Sequence, residues 1–265
     1  MTLFEKLKNR TGYTETDPRV TIPEALSRAE ELGVAGAEIN MNFRSHFPER
    51  YDENMKNEIR NAVEESGTEL SFHGPVDISL ISRHKPIQEA AARRMSAFIE
   101  TAIALGGKRF TFHPGQAAFM RPSEKEVVFY RRKHPQYLTD AFLASLTEIA
   151  KTAYRRVELI MEITHPLDKP VMDIISKFAR EGLLAFAYDT AHYNSYEFID
   201  GNLEYIKCCH LNDRKGKKAH IPLGNGDVDL KGAIEKIIGS DCFFIIESGR
   251  FEWVRQSIDF LKSLE

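Results

Sequence analysis

Short apolar runs alternate with longer amphipathic segments along most of the chain. The apolar runs are rich in aromatic and β-branched residues and are continuous rather than alternating, which is typical of strands buried on both faces of a parallel sheet. The segments between them indicate helices, because apolar residues recur there every three or four positions. Strands that alternate with helices predict a parallel sheet covered by helices. The seven clear strands are predicted at 36–40, 69–74, 108–113, 157–163, 184–189, 205–212 and 242–248.

Several predicted helices carry residues that usually mark helix ends. The segment 22–33 has Pro23 near its start, where an amide hydrogen would have no helical partner, and Gly33 at its end. The segment 53–67 also ends in glycine. These positions support the alternation of strands and helices. The remaining helices are predicted at 86–106, 138–153, 172–182 and 251–264.

An eighth, weaker strand is predicted at 10–14, which gives eight strand–helix units in 265 residues. That size matches an α/β fold of the (β/α)8 TIM barrel type, typically ~250 residues. A doubly wound open sheet is the alternative. As a dinucleotide-binding fold it would need a glycine-rich phosphate loop after its first strand, and the sequence has none. No linker rich in Pro, Gly or Ser divides the chain, so we expect a single domain, 1–265.

Net charge and cysteine usage limit the classes of binding partner and the cellular compartment that we expect. A net charge of −3 gives no global attraction to nucleic acid, although a local basic patch would suffice for it. Cys208 and Cys209 are adjacent and would point to opposite faces of a strand, and Cys242 makes the count odd. We therefore expect reduced cysteines in a cytoplasmic protein. No signal peptide is expected, because the first residues, MTLFEKLKNR, contain no apolar core. No membrane span is expected, because no run of 18 apolar residues occurs.

Each of the seven clear strands carries an ionisable side chain at or near its carboxyl end. In a TIM barrel these ends converge on one mouth, where active sites lie. Carboxylates and imidazoles buried together without cations are costly, and a divalent metal would compensate that cost. One such residue has an ordinary structural explanation, but seven in seven strands favour a metal site. The residues are Glu38, His73, His113, Glu162, Asp189, His210 and Glu247.

The other histidines fall into two groups. His192 follows Asp189 by three residues and His220 follows His210 by ten, so both are expected to face the same mouth. The histidines in predicted loops are interpreted as remote from the chemistry. They are His46, His84, His134 and His165.

The segment 115–137 is longer than most strand–helix connections, and long connections in compact barrels often form lids or binding segments. A surface helix over about 123–133 is the favoured interpretation. Such a helix would still be able to close over the mouth, where Arg121, Arg131 and Arg132 would then matter.

Eight short motifs follow one another along the predicted strand ends. They are LGVAGAEIN (32–40), FHGP (72–75), FHPG (112–115), MEIT (161–164), YDTAH (188–192), CHLND (209–213), HIPLGNGD (220–227) and IIESG (245–249). Each is weak alone, but their order and spacing resemble the xylose-isomerase-like superfamily of TIM barrels. That superfamily contains sugar isomerases, sugar epimerases and endonuclease IV. The resemblance extends from about residue 20 to 250.

For the isomerase branch, the resemblance implies one metal ion held by Glu162, Asp189, His210 and Glu247. Glu162 and Glu247 would then transfer a proton beside a carbonyl of a small sugar, sugar phosphate or keto acid, through a metal-stabilised enediolate. His192 and His220 would bind hydroxyl groups or steer protons.

Substrate contacts are expected from Glu38, which would line the pocket, and from Asp213, Arg214 and Lys218. The basic run of Arg214, Lys215, Lys217 and Lys218 either holds a phosphate or carboxylate of the substrate or is a solvated loop. Both interpretations of that run remain open.

For endonuclease IV, the resemblance implies that Glu162 bridges to a second metal held by His73 and His113. Its third metal would need His192, His220 and an aspartate where this chain has Lys218, and a protonated lysine repels a cation. Val76 also replaces the aromatic residue that enters DNA in that enzyme. We therefore expect one or two ions and regard a third site as doubtful.

The leading prediction is a divalent-metal-dependent isomerase or epimerase of a small carbohydrate. The alternative is a phosphodiesterase that acts at abasic sites in DNA, in which the basic run would follow the backbone and Arg44 would enter a groove. A barrel that binds without catalysis is the least favoured. Zinc, manganese, magnesium and cobalt all suit mixed histidine and carboxylate ligands. Homo-oligomerisation stays open.

Overall fold

Eight parallel strands close into a barrel, so the predicted TIM barrel is confirmed. The computed structural model describes residues 2–82, 84–115, 135–164, 167–192 and 200–264. The barrel strands are β1 Thr11–Glu15, β2 Gly36–Asn40, β3 Glu69–His73, β4 Arg109–Phe112, β5 Glu158–Glu162, β6 Ala185–Asp189, β7 Ile206–Leu211 and β10 Phe243–Ile246. Around the barrel they follow the order β1–β10–β7–β6–β5–β4–β3–β2.

Helices cover the outside of the barrel. Those of the described residues are α1 Leu3–Leu7, α2 Ile22–Leu32, α3 Glu53–Ser66, α4 Lys85–Ala104, α5 Pro135–Ala153, α6 Lys169–Arg180, α7 Leu230–Ile237 and α8 Phe251–Ser263. Helices α1 and α7 were not predicted. The predicted helix at 123–133, its arginines, His134 and His165 lie outside the described residues. Within the described ranges, no helix combines the length and apolar character that a membrane crossing requires.

Helix α2 shows how local sequence sets an element's ends. The Thr21 hydroxyl accepts the Glu24 amide, and the Glu24 carboxylate accepts the Thr21 amide in return, which completes a capping box. Gly33 ends the helix with a φ of +67°, a left-handed conformation that glycine adopts without strain. The predicted boundaries of this helix are therefore confirmed, together with the reason for them.

A two-stranded antiparallel hairpin, not predicted, follows β7 at the mouth of the barrel. It consists of β8 Asp213–Lys215 and β9 Lys218–Ile221. The basic run that was left open between a ligand-binding segment and a solvated loop forms this hairpin. Arg214, Lys215, Lys217 and Lys218 are exposed on it.

On four strands, β5, β6, β7 and β10, the inward face changes from apolar to ionisable toward the mouth of the barrel. Side chains two residues apart on a strand point to the same face. Cys208 packs inside with Ile160, Ala187 and Ile245, whereas Cys209 packs in the outer core. All three cysteines are free and buried, as predicted. Two residues further along these four strands, the same inward face carries the ionisable layer. The successive pairs are Ile160 and Glu162, Ala187 and Asp189, Cys208 and His210, and Ile245 and Glu247.

Candidate metal centre at the barrel mouth

Glu162 lies at the centre of the ionisable layer. Its Oε2 atom lies 3.2 Å from Nε2 of His73 and 3.4 Å from Nε2 of His113. The same oxygen lies 3.2 Å from Nδ1 of His210. One carboxylate oxygen at the end of β5 therefore meets imidazoles from β3, β7 and the residue after β4.

Two groups of potential metal ligands share Glu162. The first consists of His73, His113 and Glu162, and the second of Glu162, Asp189 and His210. Within each group the ligand atoms lie within 4.8 Å of one another. Two ligand atoms bound to a tetrahedral zinc ion stand about 3.4 Å apart, since each bond is about 2.1 Å long. The distances around Glu162 fit that geometry.

The backbone fixes the orientation of His73. Its Nδ1 lies 2.9 Å from the carbonyl oxygen of Gly74, which can only accept, so Nδ1 carries the proton. In the neutral ring the lone pair is then on Nε2, the atom that faces Glu162. This arrangement is typical of metal-binding histidines, whose second nitrogen usually donates to an acceptor.

His210 supplies the second indication of a cation. It is fully buried, and its Nδ1 forms no hydrogen bond with any described residue although Glu162 Oε2 is only 3.2 Å away. A buried polar atom without a hydrogen bond is costly. A metal ion bound to both atoms would remove that cost, so the residues present fit a divalent metal.

Asp189 is held by a dense set of donors. Its Oδ1 accepts the backbone amides of Ala191 and His192, both at 2.7 Å, and its Oδ2 accepts Nδ2 of Asn212 at 3.2 Å. Asn212 also accepts the His220 amide at 2.8 Å, and its Nδ2 lies 3.0 Å from Nδ1 of His220. Asn212 was not predicted, because a neutral amide does not stand out among charged strand ends. Its place two residues after His210 was the available signal.

Glu247 and the other two histidines form the outer edge of the site. Glu247 lies 3.9 Å from His210 Nδ1 and 3.7 Å from His220 Nδ1. The rings of His192 and His220 are 6.1 Å apart. Among the described residues, no carboxylate joins these two rings in a third ligand group. Lys218 Nζ lies instead 5.6 Å from the centre of the Trp253 ring.

Burial and neighbouring charge push the pKa values of the two glutamates apart. Burial alone would raise the pKa of Glu162, but the imidazoles of His210 and His73 hold it well below its ordinary value. Burial raises the pKa of Glu247 to about 8, and the charges of Asp189 and Glu162 act in the same direction. Burial opposes a charge on His210, yet Glu38 and Glu162 raise its pKa well above the ordinary value. Burial also opposes a charge on His73, yet Glu162 and Glu38 raise its pKa to about 9.

Two of the four residues predicted to bind substrate lie in the interior. Glu38 is fully buried, and Asp213 is 1% exposed. Asp213 accepts the amides of Gly224 and Gly226 at 2.9 and 2.8 Å and holds the loop that follows the hairpin. A Cβ atom at Gly226 would overlap the Asp213 carboxylate, so this approach requires glycine. Arg214 and Lys218, by contrast, are exposed on the hairpin.

Two histidines expected to be remote from the chemistry lie away from the ligand groups. His46 is buried, with Nδ1 2.8 Å from the Tyr51 hydroxyl. His84 precedes the first residue of α4.

Comparisons with known proteins agree with this architecture. A protein family described as xylose isomerase-like TIM barrel matches residues 26–264. An uncharacterised protein from Methanocaldococcus jannaschii is 23% identical over 215 residues, which cover 74% of this chain and 77% of that protein.

Three solved structures share the fold. A D-tagatose 3-epimerase-like protein has a TM-score of 0.74 at 17% identity and covers 96% of both chains. Endonuclease IV from Thermus thermophilus has a TM-score of 0.69 at 20% identity and covers 95% of this chain and 98% of its own. The IOLI protein, solved with a bound zinc atom, has a TM-score of 0.66 at 15% identity over 95% of this chain and 93% of its own.

Proposed function

The chain belongs to the xylose isomerase-like TIM barrel family, and within it we propose that this protein is a two-metal phosphodiesterase that cleaves DNA at abasic sites. The observation that carries the proposal is the sharing of Glu162 between two ligand groups. The solved structures of the same fold include an endonuclease IV, which motivates this reaction class.

A single metal ion would leave His73, which is buried, and His113, which is half-buried, without a role. His73 and His113 both direct Nε2 at Glu162, and His73 is only 5% exposed. An ion bound by Glu162, Asp189 and His210 makes no use of them. In a two-metal centre both are ligands, which explains why the chain places them against a carboxylate.

The charge of the interior also supports two ions. Glu38, Glu162 and Asp189 are buried, and Glu247 is largely so, with 18% of its side chain exposed. Ionised, these four carboxylates carry four negative charges, which two divalent cations would balance. Compensation of this kind is what permits several carboxylates to be buried together.

Two ions held at these positions would activate a water molecule at neutral pH and clamp the phosphate group. Residues of the chain would hold the two ions in position and move the proton. Glu162 would hold both positions at a fixed separation, with His73 and His113 on one side and Asp189 and His210 on the other. Glu247, which is partly exposed, would accept or return a proton at the substrate.

The exposed hairpin supports an anionic substrate. In the described part of the chain, no carboxylate forms an ion pair with Arg214, Lys215, Lys217 or Lys218. Their charge is therefore available to a phosphate backbone, and binding would weaken steeply with salt through counterion release. The hairpin follows His210 directly, so this charge lies at the mouth that holds the ligand groups.

The test is incision of a duplex that carries one abasic site, by protein loaded with zinc or manganese and assayed for bound metal. We expect incision of this duplex and none of an intact duplex. Glu162→Gln should lower the rate more than about 100-fold, because residues that merely support metal ligands typically contribute about 10–100-fold. The Glu158→Gln protein, changed at the opposite end of β5, is the matched control and should incise the duplex at the wild-type rate. Absence of incision by protein that holds two ions per chain would refute the proposal.

A metal-dependent isomerase or epimerase is the second candidate. Glu162 and Glu247 approach His210 Nδ1 to 3.2 and 3.9 Å, so one ion at His210 would have both carboxylates close to it. Such a pair would remove a proton beside a carbonyl and return it. A D-tagatose 3-epimerase-like protein has the same fold.

Deuterium exchange separates the two candidates. An isomerase or epimerase would incorporate solvent deuterium at the carbon beside the carbonyl of a ketose or keto acid, visible by NMR. That exchange would require Glu162 and Glu247 but would survive His73→Ala and His113→Ala. Under the two-metal proposal no exchange is expected, and His113→Ala should lower both incision and the number of bound ions.

A further inference from the structure

We propose that Glu38 is a positioning residue of the metal centre. It accepts the Nε2 proton of His210 and so directs the Nδ1 lone pair toward the position shared with Glu162. This role differs from the substrate contact expected from the sequence. The inference rests on the proposed metal centre but not on the reaction that the centre performs.

Glu38 is enclosed by partners inside the barrel. It lies in the middle of β2, faces the interior and is fully buried. The Thr14 hydroxyl lies 3.0 Å from its Oε2, and the Thr111 hydroxyl lies 3.5 Å from its Oε1. His210 Nε2 lies 3.4 Å from Oε1. No part of the carboxylate is exposed to a substrate in the mouth.

The chemistry of these partners determines which nitrogen of His210 carries the proton. An ionised carboxylate can only accept hydrogen bonds, so His210 must donate from Nε2. In the neutral ring Nδ1 then carries a lone pair, and this lone pair faces Glu162 Oε2 at 3.2 Å. Two acceptors at that distance repel each other unless a metal ion, or in its absence a proton on Nδ1, lies between them. Glu38 therefore prepares one side of a cation site that it does not touch.

His73 and His210 reach the same result by opposite tautomers. The Gly74 carbonyl holds the proton of His73 on Nδ1, which leaves Nε2 for the metal. Glu38 holds the proton of His210 on Nε2, which leaves Nδ1. The partner of His210 is charged, whereas that of His73 is a neutral carbonyl. A carboxylate behind the ring makes it a more basic ligand, so His210 should be the more sensitive to loss of its partner.

The test compares the zinc affinity of three variants with that of the wild type, by competition with a chromophoric chelator. Glu38→Met removes both the acceptor and the charge, and we expect about 10–100-fold weaker binding. Glu38→Gln keeps an acceptor oxygen and should bind more tightly than Glu38→Met. Glu15→Gln is the control, because Glu15 is also buried but bonds Tyr13 and Arg28 on the outer face of the barrel. Its zinc affinity should match the wild type.

A second measurement reads the tautomer directly and needs no variant of Glu38. Long-range ¹H–¹⁵N NMR spectra of the zinc-loaded wild type should show a proton on Nε2 of His210 and on Nδ1 of His73. His210→Gln and His73→Gln assign the signals. A proton on Nδ1 of His210, or wild-type affinity in Glu38→Met, would overturn this inference alone. A wild-type chain that binds no zinc would overturn the metal centre and the proposed function with it.

Discussion

One oxygen of Glu162 connects the two ligand groups, because the imidazoles of three histidines approach it within 3.4 Å. The strand-end pattern identified Glu162 and the histidines because parallel strands end together. The pattern could not show how far below the mouth of the barrel each side chain lies. Glu38 stands two residues before the end of β2, so it faces inward but lies one layer below the mouth. Asn212 was missed for another reason, since its importance comes from Asp189 and His220, which are distant in sequence.

At the same scale, His46 predicts a dependence of stability on pH. Burial lowers its pKa to about 4, so the unfolded chain, with a histidine pKa near 6.5, takes up the proton first. The contribution is therefore complete above pH 6.5 and is lost as the pH falls toward 4. Between pH 7 and pH 5 the loss should be about 2 kcal/mol.

Urea unfolding in the presence of chelator measures this loss. His46→Gln should show the smaller decrease in unfolding free energy between pH 7 and pH 5, because glutamine does not titrate. Both proteins contain the other histidines, so the difference between their pH profiles removes the contribution of those residues to the unfolding free energy. Parallel pH profiles would contradict the assignment of the effect to His46.

At the scale of elements, the barrel strands were predictable and the hairpin was not. Continuous apolar runs mark the buried strands, and Cys208 and Cys209 show why, since both faces of β7 are buried. Strands β8 and β9 are short and charged, and their position depends on Asp213 and the loop it holds. A segment ordered by one buried carboxylate has no periodic pattern in its own sequence.

Asp213→Ala should therefore destabilise the protein by at least about 3 kcal/mol, because several amides lose a charged acceptor. Besides Gly224 and Gly226, the amide of Val228 lies 3.3 Å from this carboxylate. Asp213→Asn should lower the free energy of unfolding by less, since the side-chain oxygen of asparagine still accepts hydrogen bonds. Urea unfolding gives both values, and an Ala variant as stable as the wild type would show that the loop needs no anchor.

At the scale of the whole molecule, the ligand groups draw on five consecutive strands of the barrel. Strands β3 to β7 are neighbours in the sheet, and each contributes a candidate ligand at or just after its end. The closure of this sheet followed from the count of strand–helix units. The number of bound ions could not be predicted from the sequence, because it depends on which side chains share a carboxylate oxygen.

Removal of metal should lower the melting temperature. An ion that binds only the folded chain stabilises it by about 2.7 kcal/mol at 100 times its dissociation constant. For a chain of this size that corresponds to a shift of roughly 5–10 °C. Circular dichroism with zinc and with chelator measures the shift, and Glu162→Gln should show little of it. Equal melting temperatures for the wild type under both conditions would argue against a metal in the folded state.

The sharing of Glu162 has a thermodynamic consequence. Two ions that use the same carboxylate cannot bind independently, because the first fixes the side chain and changes the charge that the second meets. Their affinities are then coupled, and the coupling free energy is the same whichever ion binds first. A substitution confined to one side, such as His113→Ala, should accordingly alter the affinity of the ion on the other.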